Sequence, residues 1–235
     1  MKFNVFFIIC MLYSNIGFSQ DELLSLLDDK SSEYSKYIFK GTKVVNSASV
    51  EMPDAGVLQF MIQHRFGTLN SGFYNFYGLD NSQVRMSFDY GLNDRLSVGI
   101  GRSSSLKAID SNIKYRLIRQ SKGAQTFPLT ICVSSSIVFK QYLTSNSENN
   151  NFLFSNQFSY SHQILLARKV NRQISFQLSP TLIHYNLLPI DQLVHDLYSL
   201  GYGARYKISN RISLNIETFS QFNSGNNINP LSFGV

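Results

Sequence analysis

The sequence predicts an all-β fold: an antiparallel up-and-down transmembrane β-barrel, incomplete at its C-terminal end, with a short N-terminal helical arm. Three observations predict it. Apolar and polar residues alternate over nine consecutive segments. The connections between those segments are alternately short and long. The chain opens with an export signal, yet it contains no later apolar run long enough for a membrane-spanning helix.

Composition agrees with this. Of 235 residues only 15% are charged, against about 25% in an average soluble domain. Aromatics make up 14%, with 13 Tyr and 19 Phe. Such a mixture suits a barrel with one face in lipid and one in a polar lumen. The formal net charge of +6 comes from basic residues scattered singly. With no basic cluster and no nucleic-acid motif, the sequence predicts no nucleic-acid binding.

The first element is the export signal. Lys2 supplies the positive start and Phe3 to Tyr13 the apolar stretch. Gly17-Phe18-Ser19 offers small residues for cleavage before Gln20. The apolar run, broken by Asn4 and Ser14-Asn15, is too short for the ~20 residues of a membrane helix. Cys10 lies in this run behind Ile9, which argues against lipoprotein processing. Cleavage leaves Cys132 alone, so neither an internal disulfide nor a cysteine metal site is expected. Residues 21–37 come next and read as a helix or a loosely ordered arm. Leu23, Leu24, Leu26 and Leu27 share one side, and Asp21 and Glu22 suit a helix start.

From Val57 the period becomes two. Leu58, Phe60 and Ile62 alternate with Gln59, Met61 and Gln63. The same rhythm returns at 84–90, 96–101, 113–117, 129–140, 152–164, 174–179, 199–207 and 212–217. Period-two runs of this kind are strands.

The connections carry a repeat. Leu92-Asn93-Asp94-Arg95-Leu96-Ser97-Val98 matches Val170-Asn171-Arg172-Gln173-Ile174-Ser175-Phe176 and Ile208-Ser209-Asn210-Arg211-Ile212-Ser213-Leu214. Asn and Asp there are expected to tolerate the left-handed backbone of tight hairpins. A fourth connection on that side, Arg119 to Phe127, is longer and contains Gly123. The intervening connections, about 67–82, 103–111, 143–151, 187–197 and 223–230, are longer and polar or aromatic. Short turns belong in the periplasm and long loops outside. Alternation alone leaves the sign of the apolar face open. The export signal, the loop asymmetry and the aromatics point it toward lipid; a soluble barrel would turn it inward.

The alternation also sorts the charges. Arg65, Arg85, Lys114, Arg116, Lys140, Arg205 and Lys207 are expected to line the lumen, with Asp89 and Glu217 as its acids. Two readings of this basic excess stand. An open lumen would favour small anionic solutes. A closed one would use the charges for internal packing. His64 is placed outward at the rim beside Arg65, with no acid or nucleophile in the sequence to make it catalytic. Gly99-Ile100-Gly101 sits inside a strand, where glycines bend a strand or relieve crowding, and is no phosphate loop. Phe73, Tyr74, Phe76 and Tyr77 in the first long loop read as an interfacial aromatic belt, with a sugar- or partner-binding patch as the alternative. His162, His184 and His195 fall on different segments, and no metal site, cofactor or Ser/His or Asp/His cluster is expected.

Several stretches also carry a resemblance. They are Phe39-Lys40-Gly41-Thr42-Lys43-Val44-Val45-Asn46, Gln63-His64-Arg65-Phe66-Gly67, Asp89-Tyr90-Gly91 and Arg95-Leu96-Ser97-Val98-Gly99-Ile100-Gly101-Arg102-Ser103. From about Phe39 onward the chain resembles the membrane-bound β-barrel family of Gram-negative bacteria that carries only a domain-of-unknown-function label. The resemblance implies a barrel and a membrane location, and no activity. It also implies about twelve strands, whereas this chain stops at Val235, a few residues into a tenth. The expected division is a signal peptide at 1–19, a periplasmic arm at 20–55 and the barrel at 56–235. The expected protein is a non-enzymatic outer-membrane barrel in contact with outer-membrane lipid. It is read as a pore or transport barrel, with a closed partner-binding barrel or a soluble periplasmic carrier of an apolar ligand as the alternatives.

Overall fold

Period-two patterning yields strands because successive side chains leave a β-strand on opposite faces. In the computed structural model, which describes residues 32–67, 69–140, 154–188, 194–223 and 229–235, twelve strands form. They are β1 (Ser32–Tyr34), β2 (Leu58–Arg65), β3 (Gln83–Asn93), β4 (Leu96–Ser103), β5 (Ile109–Ile118) and β6 (Ser121–Gly123). They continue as β7 (Thr130–Phe139), β8 (Phe158–Lys169), β9 (Ile174–Tyr185), β10 (Asp196–Lys207), β11 (Ser213–Gln221) and β12 (Leu231–Gly234).

Ten of them make one antiparallel sheet in the order β12-β11-β10-β9-β8-β7-β5-β4-β3-β2. Each main strand pairs with its neighbours in sequence, the up-and-down topology that the alternating connections predict. The sheet is not closed: β2 and β12 are its edges, in line with an incomplete barrel. β5 and β7 hold 10 residues, β3 11, and β8, β9 and β10 12 each, close to the ~9–11 that a tilted strand needs to cross a bilayer. Among the described residues no helix is long and apolar enough to cross one.

The expected export signal and most of the expected helix at 21–37 lie outside the described residues. The described end of that stretch is not helical. β1 pairs with β6, which belongs to the connection between β5 and β7. That connection is long because it supplies a strand partner, and Gly123 adopts a left-handed φ of 96° there.

The three repeat turns work differently from the expectation. None of their residues has a positive φ. Side chains cap the turns instead. The Asn93 carboxamide oxygen accepts from the Arg95 N–H at 2.8 Å. Asn171 accepts from Gln173 and Ile174 at 2.8 and 2.7 Å, and the Ser209 hydroxyl from Arg211 and Ile212 at 3.2 and 3.1 Å. A short polar side chain mimics a backbone carbonyl, so the repeat needs Asn or Ser at one place and no glycine.

Burial settles the sign of the sheet. In β3, Arg85, Ser87 and Asp89 are buried while Met86, Phe88 and Tyr90 are exposed. In β9, Ser175, Gln177, Ser179 and Thr181 are buried on the same inner face. Outward lie Phe60, Ile100, Ile113, Ile164, Tyr202 and Ile216, all exposed. This is the reverse of a water-soluble sheet, whose apolar face packs inward. The inner face turns apolar near the short turns, at Cys132, Leu165 and Ala167.

Candidate functional site: a hairpin on the polar inner face

Residues 38–51 lie within the stretch expected as an arm. They fold onto the inner face. The chain reverses tightly over 44–47, with the Val44 N–H donating to the Ser47 carbonyl at 3.0 Å and the Ser49 N–H to that of Thr42 at 3.0 Å. Lys43 and Ala48 pair across the resulting hairpin. Its apolar side chains, with Ile38 and Phe39 before it and Val50 after it, pack against Cys132, Leu165 and Ala167. Burying a side chain of this size stabilises by roughly 1.5–3 kcal/mol. The apolar patch of the inner face is thus the seat of this segment.

Polar contacts fix its register. The Glu217 carboxylate accepts from the backbone N–H groups of Val45 (3.2 Å), Asn46 (2.9 Å) and Ser47 (3.1 Å), and from the Ser47 hydroxyl (2.8 Å). Successive N–H groups at a turn form a ready anion nest, here filled by the protein's own carboxylate. From the opposite wall the Lys114 ammonium donates to the carbonyls of Ser49 (2.7 Å), Glu51 (2.8 Å) and Thr42 (3.5 Å). Gln177 accepts from the Val50 N–H at 3.1 Å and donates to the Ala48 carbonyl at 2.8 Å, much as a neighbouring strand would. Arg205 donates to the carbonyls of Tyr37 and Ile38 at 3.4 and 3.2 Å, and Arg116 to those of Val50 and Asp94 at 3.5 and 3.1 Å. Glu51 closes the segment on itself by accepting from the Ile38 N–H at 2.7 Å.

Arg85 serves the wall rather than the hairpin. It forms a two-pronged ion pair with Asp110, its Nε donating at 2.9 Å, and its Nη1 donates to Gln63 at 3.0 Å. Gly99 and Gly101 make this network fit. A Cβ on Gly101 would collide with the Arg85 guanidinium, and one on Gly99 with Asp89 and Asn112. Crowding relief is therefore what these glycines supply.

Above the hairpin tip is a polar cavity of about 450 Å³, lined by Lys43, Asn46 and Ser47 below and by β3, β4, β5 and β7 around. Residues near the long-loop end, among them Gln83, Ser105 and Leu106, form its upper wall. Arg65, Lys140 and Asp89 of the expected lumen set face it, and Arg85 and Lys114 form part of its lining. Lys140 also lies over the Tyr185 ring at 5.5 Å. Lys207 sits on the inner face at the short-turn end, paired in register with Ser213. Burial, then repulsion from Arg85, holds the Lys43 ammonium below the ordinary lysine range, with Arg65 adding to the repulsion and Asp89 and Asp110 opposing it.

An apolar outer face over a polar inner face that carries the chain's own hairpin fits a membrane β-barrel. The chain belongs to a family of membrane-bound β-barrel domains of unknown function. The match covers residues 39–235. It begins at Phe39, so the family's domain takes in the hairpin together with the strands. No curated protein and no solved structure matches the chain.

Three features escaped sequence reasoning. Asp110 is an inner-face acid that the sequence hides, because clear alternation starts only at residue 113 while β5 begins at Ile109. Lys43 joins the lumen from outside the strands, where no periodicity marks it. The third is a pair of histidine contacts on the outward face. Ser135 and His162 Nδ1 are 2.9 Å apart across β7 and β8, and His184 Nδ1 and Asp196 2.6 Å apart across β9 and β10, with the His195 ring stacked on His184 at 6.3 Å. So Ser/His and Asp/His pairs do exist, brought together by strand register, which single-residue inspection does not supply. Among the described residues no group of three or more His, Cys, Asp and Glu is arranged to hold a metal.

Proposed function

We propose that this membrane barrel resides in the outer membrane, reaches it through a signal peptide at 1–19, and is closed at its periplasmic end by its own hairpin. In this reading it is a resting, non-conducting barrel rather than a permanently open pore, and it carries out no catalysis. The observation that carries the proposal is the docking of residues 42–51 by Glu217, Lys114 and Gln177. These are buried polar groups whose partners are supplied by the hairpin; removing it would leave a carboxylate and an ammonium unpaired, a costly state. The alternation of turns and loops supports the orientation, with the hairpin in the half nearest the short turns.

Planar-bilayer recording tests this. The full protein is expected to show no steady conductance, and deletion of residues 42–49 to open an anion-preferring pore. Steady conductance of equal size in both proteins would contradict it.

A further inference from the structure

The cavity above the hairpin has charges that the plug does not use. Its lining holds five basic side chains (Lys43, Arg65, Arg85, Lys114 and Lys140) against two acidic ones, Asp89 and Asp110. Arg85 is committed to Asp110, and Lys114 to the hairpin carbonyls. Among the described residues the side-chain nitrogens of Lys43, Arg65 and Lys140 are in no hydrogen bond and no ion pair, Lys140 lying only over the Tyr185 ring. They approach one space from three sides: Lys43 from the floor, Arg65 from β2 and Lys140 from the end of β7. The hydroxyls of Ser134 and Ser136 and the amides of Asn112 and Gln163 line the same space. Like charges that share one cavity repel, more weakly at Arg65, which is exposed to solvent, and an anion between them lowers that cost.

We infer that this cavity binds a phosphoryl group, held between Lys43 of the hairpin and Arg65 and Lys140 of the wall. The inference rests on the docked hairpin as the cavity floor. Asp89 offsets one of these three cations, and a single added carboxylate would still leave one charge without a counterpart. A phosphate carries nearly two charges near neutral pH, and its several oxygens can accept from three directions at once, with Arg65 able to give two parallel bonds. A volume of about 450 Å³ leaves room for more than the group itself, so free phosphate and a small organic phosphate share the required chemistry. Because Lys43 belongs to the hairpin, an occupied site stabilises the plugged state by ordinary linkage.

The test is calorimetric titration of the full protein in detergent with inorganic phosphate and, separately, with glycerol 3-phosphate. Saturable binding of either is expected, the tighter one naming the source. Lys43→Gln and Arg65→Gln should each weaken it at least tenfold, while Lys122→Gln, on the exposed short-turn side, leaves it unchanged. Phosphate should also slow amide exchange at 42–49. Circular dichroism keeps folding defects apart from binding defects. No saturable binding by either ligand, or equal binding in the double Lys43→Gln/Arg65→Gln variant, would overturn the site. Conductance is read independently: a silent barrel that takes up neither phosphate overturns this inference and leaves the plug standing.

Discussion

Glu217 is the residue on which the inner arrangement turns. Its carboxylate is buried and its hydrogen bonds come from one turn of the chain about 170 positions away. Glu217→Gln replaces one charged acceptor oxygen by an amide donor facing N–H groups. The expected loss is roughly 1–3 kcal/mol of hairpin docking, seen as faster amide exchange at 45–47 with the strands unchanged; unaltered exchange would refute the assignment. Gly101→Ala makes a second prediction. The added methyl must displace Arg85 from Asp110, so the thermal midpoint should fall, and Arg85→Met in that background should cost less than it does alone. At this scale the direction of each strand charge could be read from alternation, and the structure puts Arg85, Asp89, Lys114 and Glu217 on the buried face. Their partners could not be read, because Asp110 lay outside the recognised period and the hairpin has none of its own.

Elements were more legible than contacts. Period two survives in any half-buried strand, which is why all nine segments reappear in the ten-stranded sheet. The three-residue strands β1 and β6 are too short to show a period. The repeat turns were located correctly but their mechanism was not: local side-chain caps do what left-handed backbone was expected to do. Asn171→Ala removes the acceptor for two N–H groups at once. It should lower the denaturant midpoint by an amount equivalent to about 1 kcal/mol, and Asn171→Asp should largely preserve it. If Asn171→Gly stabilises instead, the turn is governed by backbone conformation after all.

For the whole molecule, the sign of the faces was the open question, and burial answers it. A sheet with buried serines and exposed phenylalanines is built for lipid outside. Phe88→Arg should therefore hinder folding into bilayers by roughly 2–4 kcal/mol if the site lies near the midplane, whereas the same change in a soluble protein would leave an outward position little affected. The hairpin gives the most direct test of the filled lumen, because Cys132 lies beneath it, fully buried, with its sulfur against the Val50 carbonyl at 3.6 Å. The decisive measurement is the rate at which a small water-soluble maleimide labels Cys132 in the membrane-inserted protein. Slow labelling of the native protein and fast labelling after deletion of 42–49 is the predicted result. Native labelling as fast as that of the deletion variant would contradict a plugged barrel.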